Sequence, residues 1–336
     1  MRRDFEIGIG LQSDKRAGDY ARLARIAEEH GIDVVSVFGD LMYQPPIFPL
    51  LEMAAATSRV RLGPACLNPY SLAPYEIAGQ LASLDLASGG RAYLGLARGT
   101  WLGEVGLEQP RPLTTLAECA EVVYRLLGGS TSGFQGKVFS LAPGTALRYP
   151  VQRPRPPLLI GAWGERGAAL AGRIADEIKV GGSANPAMVP VIRERLRVGA
   201  EQAGRSVDDI GIVLGAVTVV DPDGAAARAR ARREVAMYLA VVAELDPTAN
   251  VPADLLARVR TETAAGRHDE AARLIPDDLL DLFAFSGTPE QVAEQARRLI
   301  DAGVRRVEFG TPHGLTDERG VTLIGREIVP MLRTAR

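Results

Sequence analysis

Short apolar runs and amphipathic stretches take turns along most of the chain. Residues 5–11, Phe-Glu-Ile-Gly-Ile-Gly-Leu, predict a first strand. Tyr20, Leu23, Ala24 and Ala27 then recur at helical spacing, and Gly31 supplies the stop. Val34-Val35-Ser36-Val37-Phe38 is β-branched and apolar, and predicts a second strand. The same helix–glycine–strand order returns at Ile300-Asp301-Ala302-Gly303-Val304, ahead of Val307-Glu308-Phe309. Between these ends the pattern predicts helices over 46–58, 73–88, 112–128, 165–175 and 186–203. The strands interleaved with them fall at 60–66, 92–97, 157–161, 177–181 and 210–220, with a last one at 304–310.

Apolar strands without strict alternation, separated by amphipathic helices, are the mark of parallel strands covered on their outer face. Eight of them predict an α/β fold, a closed (β/α)8 TIM barrel, rather than an open doubly wound sheet. Two segments interrupt the rhythm. Residues 129–156 are rich in Gly and Pro and predict a loop excursion with a short hairpin. Residues 222–290 are Ala- and Arg-rich, broken at Pro247, Pro252, Gly266 and Pro276, and predict a helical insertion with no strand before the last strand. The flanking strands continue one pattern, so residues 1–336 are expected to form one barrel domain.

Composition narrows the partners. The 336 residues are 46% hydrophobic with a formal charge of -2, which leaves no excess of Lys and Arg for nucleic acid or an anionic membrane. Cys66 and Cys119 cannot form a disulfide framework, and His30, His268 and His313 lie too far apart for a metal motif. Met1-Arg2-Arg3-Asp4-Phe5 leads straight into a short apolar run, without a signal-peptide core. No apolar stretch approaches the ~20 residues of a membrane span. A cytoplasmic enzyme is the expectation.

In a barrel the chemistry sits just beyond the C-terminal ends of the strands. Gly161-Ala162-Trp163-Gly164 falls between a strand and a helix N-terminus, where free N–H groups suit a phosphate, and Arg98 beside Gly99 adds a cation. The alternative is that such glycines only make tight turns. Gly181-Gly182-Ser183 ends the sixth strand in the same way. Asp40 closes the second strand and is a candidate for a cofactor contact or a proton relay, or else a turn residue. His313, in Thr311-Pro312-His313-Gly314, is a candidate for meeting substrate, or else a surface loop residue. Cys66 lies on the rim, where packing is the alternative role, and Glu308 is placed to face the barrel interior.

Five segments together resemble the luciferase-like superfamily, in its branch of coenzyme F420-dependent oxidoreductases that includes the methylenetetrahydromethanopterin reductases. They are Val60-Arg61-Leu62-Gly63-Pro64 with Asn68-Pro69-Tyr70, then Ser88 to Leu96, then Pro157 to Ala162 with Leu170 to Asp176. Phe285-Ser286-Gly287-Thr288-Pro289-Glu290 and Leu323-Ile324-Gly325-Arg326-Glu327-Ile328 complete the set. The resemblance implies a two-electron oxidoreductase that moves a hydride between deazaflavin C5 and a small organic substrate, typically as a homodimer. It implies a ring held by Asp40, Ala65, Cys66, Leu67, Asn68, Ala97, Arg98, Gly99 and Gly181, and a phosphate near Gly161, Ala162, Trp163 and Gly164. A non-prolyl cis peptide behind the ring falls by position at Ala65-Cys66, which gives Cys66 a role through its backbone. Asp40 and His313 are then the candidate proton donors. Three positions depart from the reductases: Leu41 stands for a histidine, Gly10 for a strand-one glutamate, and Ala97-Arg98-Gly99-Thr100 for Gly-Pro-Gly-Asp. FMN with oxygen, as in a monooxygenase, and a non-catalytic flavin-binding barrel are the alternatives.

Overall fold

The computed structural model describes residues 5–334. The residues 1–4 on which the reading of the N-terminus rests lie outside that range. Among the described residues, strands β1 (Glu6–Leu11), β2 (Val34–Val37), β3 (Arg61–Pro64) and β4 (Leu94–Ala97) come first. A two-stranded excursion follows, β5 (Phe134–Gln135) and β6 (Ser140–Leu141), which is the hairpin expected in the Gly/Pro-rich connection. Then come β7 (Leu158–Gly161), β8 (Glu177–Gly181), β9 (Gly211–Val220), β10 (Ala284–Gly287) and β11 (Arg306–Gly314).

The parallel sheet runs β3-β2-β1-β11-β9-β8-β7-β4. Its two ends meet through the parallel bridges Leu62 to Ala92 and Leu67 to Leu96, which closes the barrel. The chain therefore folds as the TIM barrel that the alternation predicts. The helices between the strands lie within a residue or two of expectation, as with Pro74–Ala87 and Glu165–Ile174. Each turns an apolar stripe inward onto outward-facing strand residues such as Ile7, Ile9 and Leu11, all fully buried.

Two expectations about strands are corrected. Among the described residues the insertion carries five helices between 224 and 283, but it ends in β10, which pairs in parallel with β9, Ala284 opposite Val217 and Gly287 opposite Val220. β9 runs for ten residues, so its upper half has hydrogen-bonding groups left for this extra strand. The last strand also continues past 310 to Gly314, through a register shift between Gly310 and His313 and a cis Thr311–Pro312 bond. His313 thus lies in a strand and not in a loop.

The barrel interior is built from glycines and long polar side chains. A Cβ on Gly8 would sit 3.1 Å from the Arg306 side chain, and one on Gly215 would sit 3.1 Å from that of Glu308. A Cβ on Gly63 would lie 2.6 Å from the Tyr93 ring. Small residues on some strands thus make the volume that large ones on others fill.

Candidate functional site

At the C-terminal ends of the strands lies a cleft of about 480 Å³. Asp40, Ala65, Cys66, Leu67, Asn68, Ala97, Gly99, Gly161, Ala162, Trp163 and Gly181 all line it. Most of the positions singled out in the sequence therefore converge on one opening. Leu41 lines it as well.

The back wall is the bulge that follows β3. The Ala65–Cys66 peptide is cis, at the position that the resemblance implies. Beyond it, Leu67 donates its N–H to Gly95 O (2.9 Å) and accepts from Ala97 N–H (2.9 Å), which knits the bulge to β4. Glycines on three sides let it approach: a Cβ on Gly39 would lie 2.3 Å from Cys66 O, and one on Gly95 would lie 2.0 Å from Pro64 O. A Cβ on Gly161 would stand 3.1 Å from both Cys66 Sγ and the Ala97 Cβ. The need for Gly161 is therefore close packing, since neither it nor Gly164 takes a positive φ. Burial pushes the Cys66 thiol up to about 12, so this residue serves the wall through its backbone and bulk and not as a nucleophile.

Asp40 opens on the cleft and accepts a hydrogen bond from Gln12 Nε2 at 3.1 Å. Crowding by protein raises its carboxyl above the usual range, against the pull of Gln12 and the charge of Lys179. Gln12 is buried, and its Oε1 has no partner among the described residues. Asn68 caps its own loop by accepting from Ser71 N–H (2.9 Å) and Tyr70 N–H (3.2 Å). Trp163 donates Nε1–H to Gly181 O at 3.1 Å, which ties the end of β7 to the end of β8.

Three candidates fall outside the cleft. Arg98 is exposed and turns its Nε to Gln109 Oε1 at 3.0 Å, so its guanidinium is engaged on the outside. Gly164 is the exposed residue before the helix Glu165–Ile174, beside the cleft but not lining it. His313 is wholly buried, and both ring nitrogens lack a hydrogen-bond partner among the described residues. Burial lowers its pKa to about 4 against the model-peptide 6.5, which leaves a neutral imidazole that does not reach the cleft.

Among the cleft residues that were not anticipated, Lys179 is the charged one. Lys179, two positions before Gly181 on the inward face of β8, contributes to the floor. Its Nζ pairs with Glu308, which also accepts from Ser36 Oγ at 2.7 Å, and Tyr93 OH donates to Ser36 Oγ at 2.7 Å. Burial opposes ionisation of Glu308, but Lys179, Arg306 and the Ser36 hydroxyl hold its carboxyl below the usual range. The spacing Glu177, Lys179, Gly181 could have revealed it, because alternate residues of a strand share a face.

Beneath the pair the charges continue. Arg306 lies with Nε 3.8 Å from Glu308 and Nη1 3.2 Å from Glu177. Arg61 reaches Glu177 at 3.3 Å and also pairs with Glu6. The signs alternate from the cleft floor down to the N-terminal mouth, where Glu6, Arg61 and Glu177 line a second depression. Among the described residues no helix is long and apolar enough to cross a membrane, and no group of three or more His, Cys, Asp and Glu is placed to hold a metal.

A closed parallel barrel with a cleft of mixed polarity at its C-terminal rim, walled by a cis bulge after the third strand, defines a class of ligand-binding barrel. The chain belongs to the luciferase-like monooxygenase family, whose model matches residues 5–306. It is 29% identical over 349 residues to the 5,10-methylenetetrahydromethanopterin reductase of Methanopyrus kandleri, covering 97% of this chain and 98% of the relative. It is 30% identical over 330 residues to an F420-dependent glucose-6-phosphate dehydrogenase of Nakamurella multipartita, covering 94% and 92%. The solved coenzyme F420 dependent tetrahydromethanopterin reductase of Methanopyrus kandleri superposes with a TM-score of 0.88 at 25% identity, covering 98% of this chain and 100% of that one.

Proposed function

We propose that this protein is a coenzyme F420-dependent oxidoreductase that moves a hydride between deazaflavin C5 and a small organic substrate. The observation that carries the reading is the convergence of Asp40, Cys66, Leu67, Gly161 and Lys179 on one cleft at the catalytic face of the barrel. The names of its relatives support the same cofactor.

The residues present fit a planar ring. A cleft of about 480 Å³ lies within the range of cofactor pockets, and the wall of Ala65, Cys66, Leu67, Ala97 and Ala162 is small or apolar. Gly161 keeps that wall recessed, since a Cβ there would crowd Ala97 and Cys66 at 3.1 Å. When bound, the deazaflavin supplies a two-electron carrier at its C5. The bulge from Ala65 to Leu67 and the turn from Gly161 to Trp163 would orient the ring, with Asn68, Gly99 and Gly181 at its margins. The N-terminus of the helix Glu165–Ile174 after Gly164 offers N–H groups to a phosphate, and Arg98 lies on the same rim. Asp40 is the candidate to hold or pass a proton at its carboxyl, because its pKa is raised and Gln12 fixes its position. His313 is the weaker candidate, being neutral and away from the cleft.

The same reading makes the protein a cytoplasmic homodimer. Phe48 is 66% exposed and Tyr75 57% exposed on the adjacent helices Ile47–Ala56 and Pro74–Ala87, which supports a self-association face. Sedimentation as a monomer at micromolar concentration would remove that part. The cofactor is tested by fluorescence titration of the purified protein with F420 and, separately, with FMN. Saturable quenching of F420 is the expected result. Micromolar binding of FMN with none of F420 would overturn the reading.

A further inference from the structure

The alternating row of charges has two ends, and only one of them meets the cleft. Lys179, Glu308, Arg306, Glu177, Arg61 and Glu6 come from four strands and alternate in sign from the floor of the cleft downward. The row sums to no net charge, yet its upper terminus is the ammonium of Lys179. That ammonium has three N–H donors. Glu308 is its one hydrogen-bond partner among the described residues. Its position is fixed from two sides, by Glu308 and by the Phe38 ring, whose centroid lies 4.9 Å away. Glu308 is fixed in turn by Ser36 and, through Ser36, by Tyr93. A buried, held cation with spare donors on the floor of a cleft, beside the small wall of Ala65, Cys66 and Ala97, is a recognition element for negative charge on a flat ligand.

We infer that Lys179 presents the positive end of this row to the occupant of the cleft, so that the site selects the anionic form of an ionisable ring system. The inference names a residue that sets which protonation state is bound, and it rests on the cofactor reading above for the identity of the ring. The groups facing Lys179 are Glu308 from β11, Asp40 after β2 and Cys66 in the bulge. Glu308 is committed to the row, and Cys66 is a neutral thiol. Asp40 is the one negative group that opposes an anion in the cleft, and crowding that favours its protonated form reduces the opposition.

The test uses the absorbance of F420, whose ring hydroxyl has distinct neutral and anionic spectra. Free and protein-bound F420 are titrated with wild type, with K179R and with the double variant K179M/E308Q. The double variant removes both charges together, so that no unpaired ion stays buried, and circular dichroism and a thermal melt establish that it folds. In wild type the bound chromophore should ionise about one pH unit lower than free F420, a roughly tenfold preference for the anion. K179R should keep that shift, and K179M/E308Q should return the midpoint to that of free F420. A midpoint unchanged between wild type and the folded double variant would overturn the role of Lys179 while leaving the cofactor reading in place. If wild type does not bind F420 at all, the cofactor reading fails instead. FMN, whose ring N3–H ionises at alkaline pH, then serves as the probe, and the same comparison decides whether Lys179 selects an anion.

Discussion

Glu308 occupies the space beside Gly10. A Cβ on Gly10 would lie 3.1 Å from Glu308 Oε1 and 2.5 Å from the Phe38 ring. The absence of a side chain at Gly10 is what leaves room for the Glu308 carboxylate, which arrives from the last strand. Gly10→Ala should destabilise the fold by about 1–3 kcal/mol, because the added methyl must displace Phe38. Urea denaturation measures it, and pairing the substitution with Phe38→Leu should restore part of the loss. Full wild-type stability in Gly10→Ala alone would contradict the packing described.

Gly39 and Gly164 make a matched comparison. A Cβ on Gly39 meets the Cys66 carbonyl at 2.3 Å, and backbone cannot step aside as a side chain can. One on Gly164 meets nothing within 4 Å, at a φ of -75°. Gly39→Ala should cost about 3 kcal/mol and weaken ligand binding in the cleft, while Gly164→Ala should cost less than about 1 kcal/mol. Equal melting temperatures for the two variants would be the contrary result.

His313 gives the fold an acid-sensitive element. Its pKa falls from 6.5 to about 4 on folding, so between those values the unfolded chain binds the extra proton. Stability from this group is complete above pH 6.5 and is lost progressively as pH drops toward 4. His313→Asn tolerates the backbone, which has φ 70° there, and should flatten that acid limb. Denaturation midpoints at pH 7.5 and pH 5 measure the difference. The variant should also keep its turnover at pH 7.5; a large fall in kcat with unchanged stability would return His313 to the list of proton donors.

Asp40 has the opposite sign. A carboxyl raised above its unfolded value binds more protons in the folded state, so stability declines as pH climbs from the ordinary carboxylate range to the raised one. Asp40 is exposed to solvent in the open cleft, so the decline is small, and Asp40→Asn should abolish it and match wild type at neutral pH. Turnover should fall if Asp40 passes the proton, and kcat against pH reads this separately from stability.

Both thiols should resist alkylation at pH 8 in the folded protein. Burial pushes Cys66 and Cys119 each up to about 12, which leaves almost no thiolate. Mass spectrometry after brief iodoacetamide treatment should find labelling only once denaturant is added.

The barrel was legible because the helix-covered face of every parallel strand is apolar, and runs such as Val34–Val37 announce themselves. The rim was legible for the same reason, since the residues after most of the runs face the cleft, Arg98 being an exception. β10 was not, because Ala284 follows the helix Asp277–Phe283 with no turn between them, and four residues carry too short a period. The continuation of β11 was hidden by Pro312, which reads as a break but is accommodated by the register shift before His313. Lys179 was missed because a charged residue in sequence suggests a surface. Inside this barrel, glycines opposite the long side chains reverse that inference.

The row from Lys179 to Glu6 also bears on how such a sequence drifts. Replacing Lys179, Glu308, Arg306 or Glu177 alone leaves a buried neighbour short of a counter-charge, which is far more damaging than losing a matched pair. These four positions are therefore coupled across β8 and β11, which are distant in the chain, and neutral change at them should proceed by joint substitution. A relative that keeps lysine at the position of Lys179 should keep an acid at that of Glu308, and one that has lost either should have lost both. The buried part of the row should change as a unit.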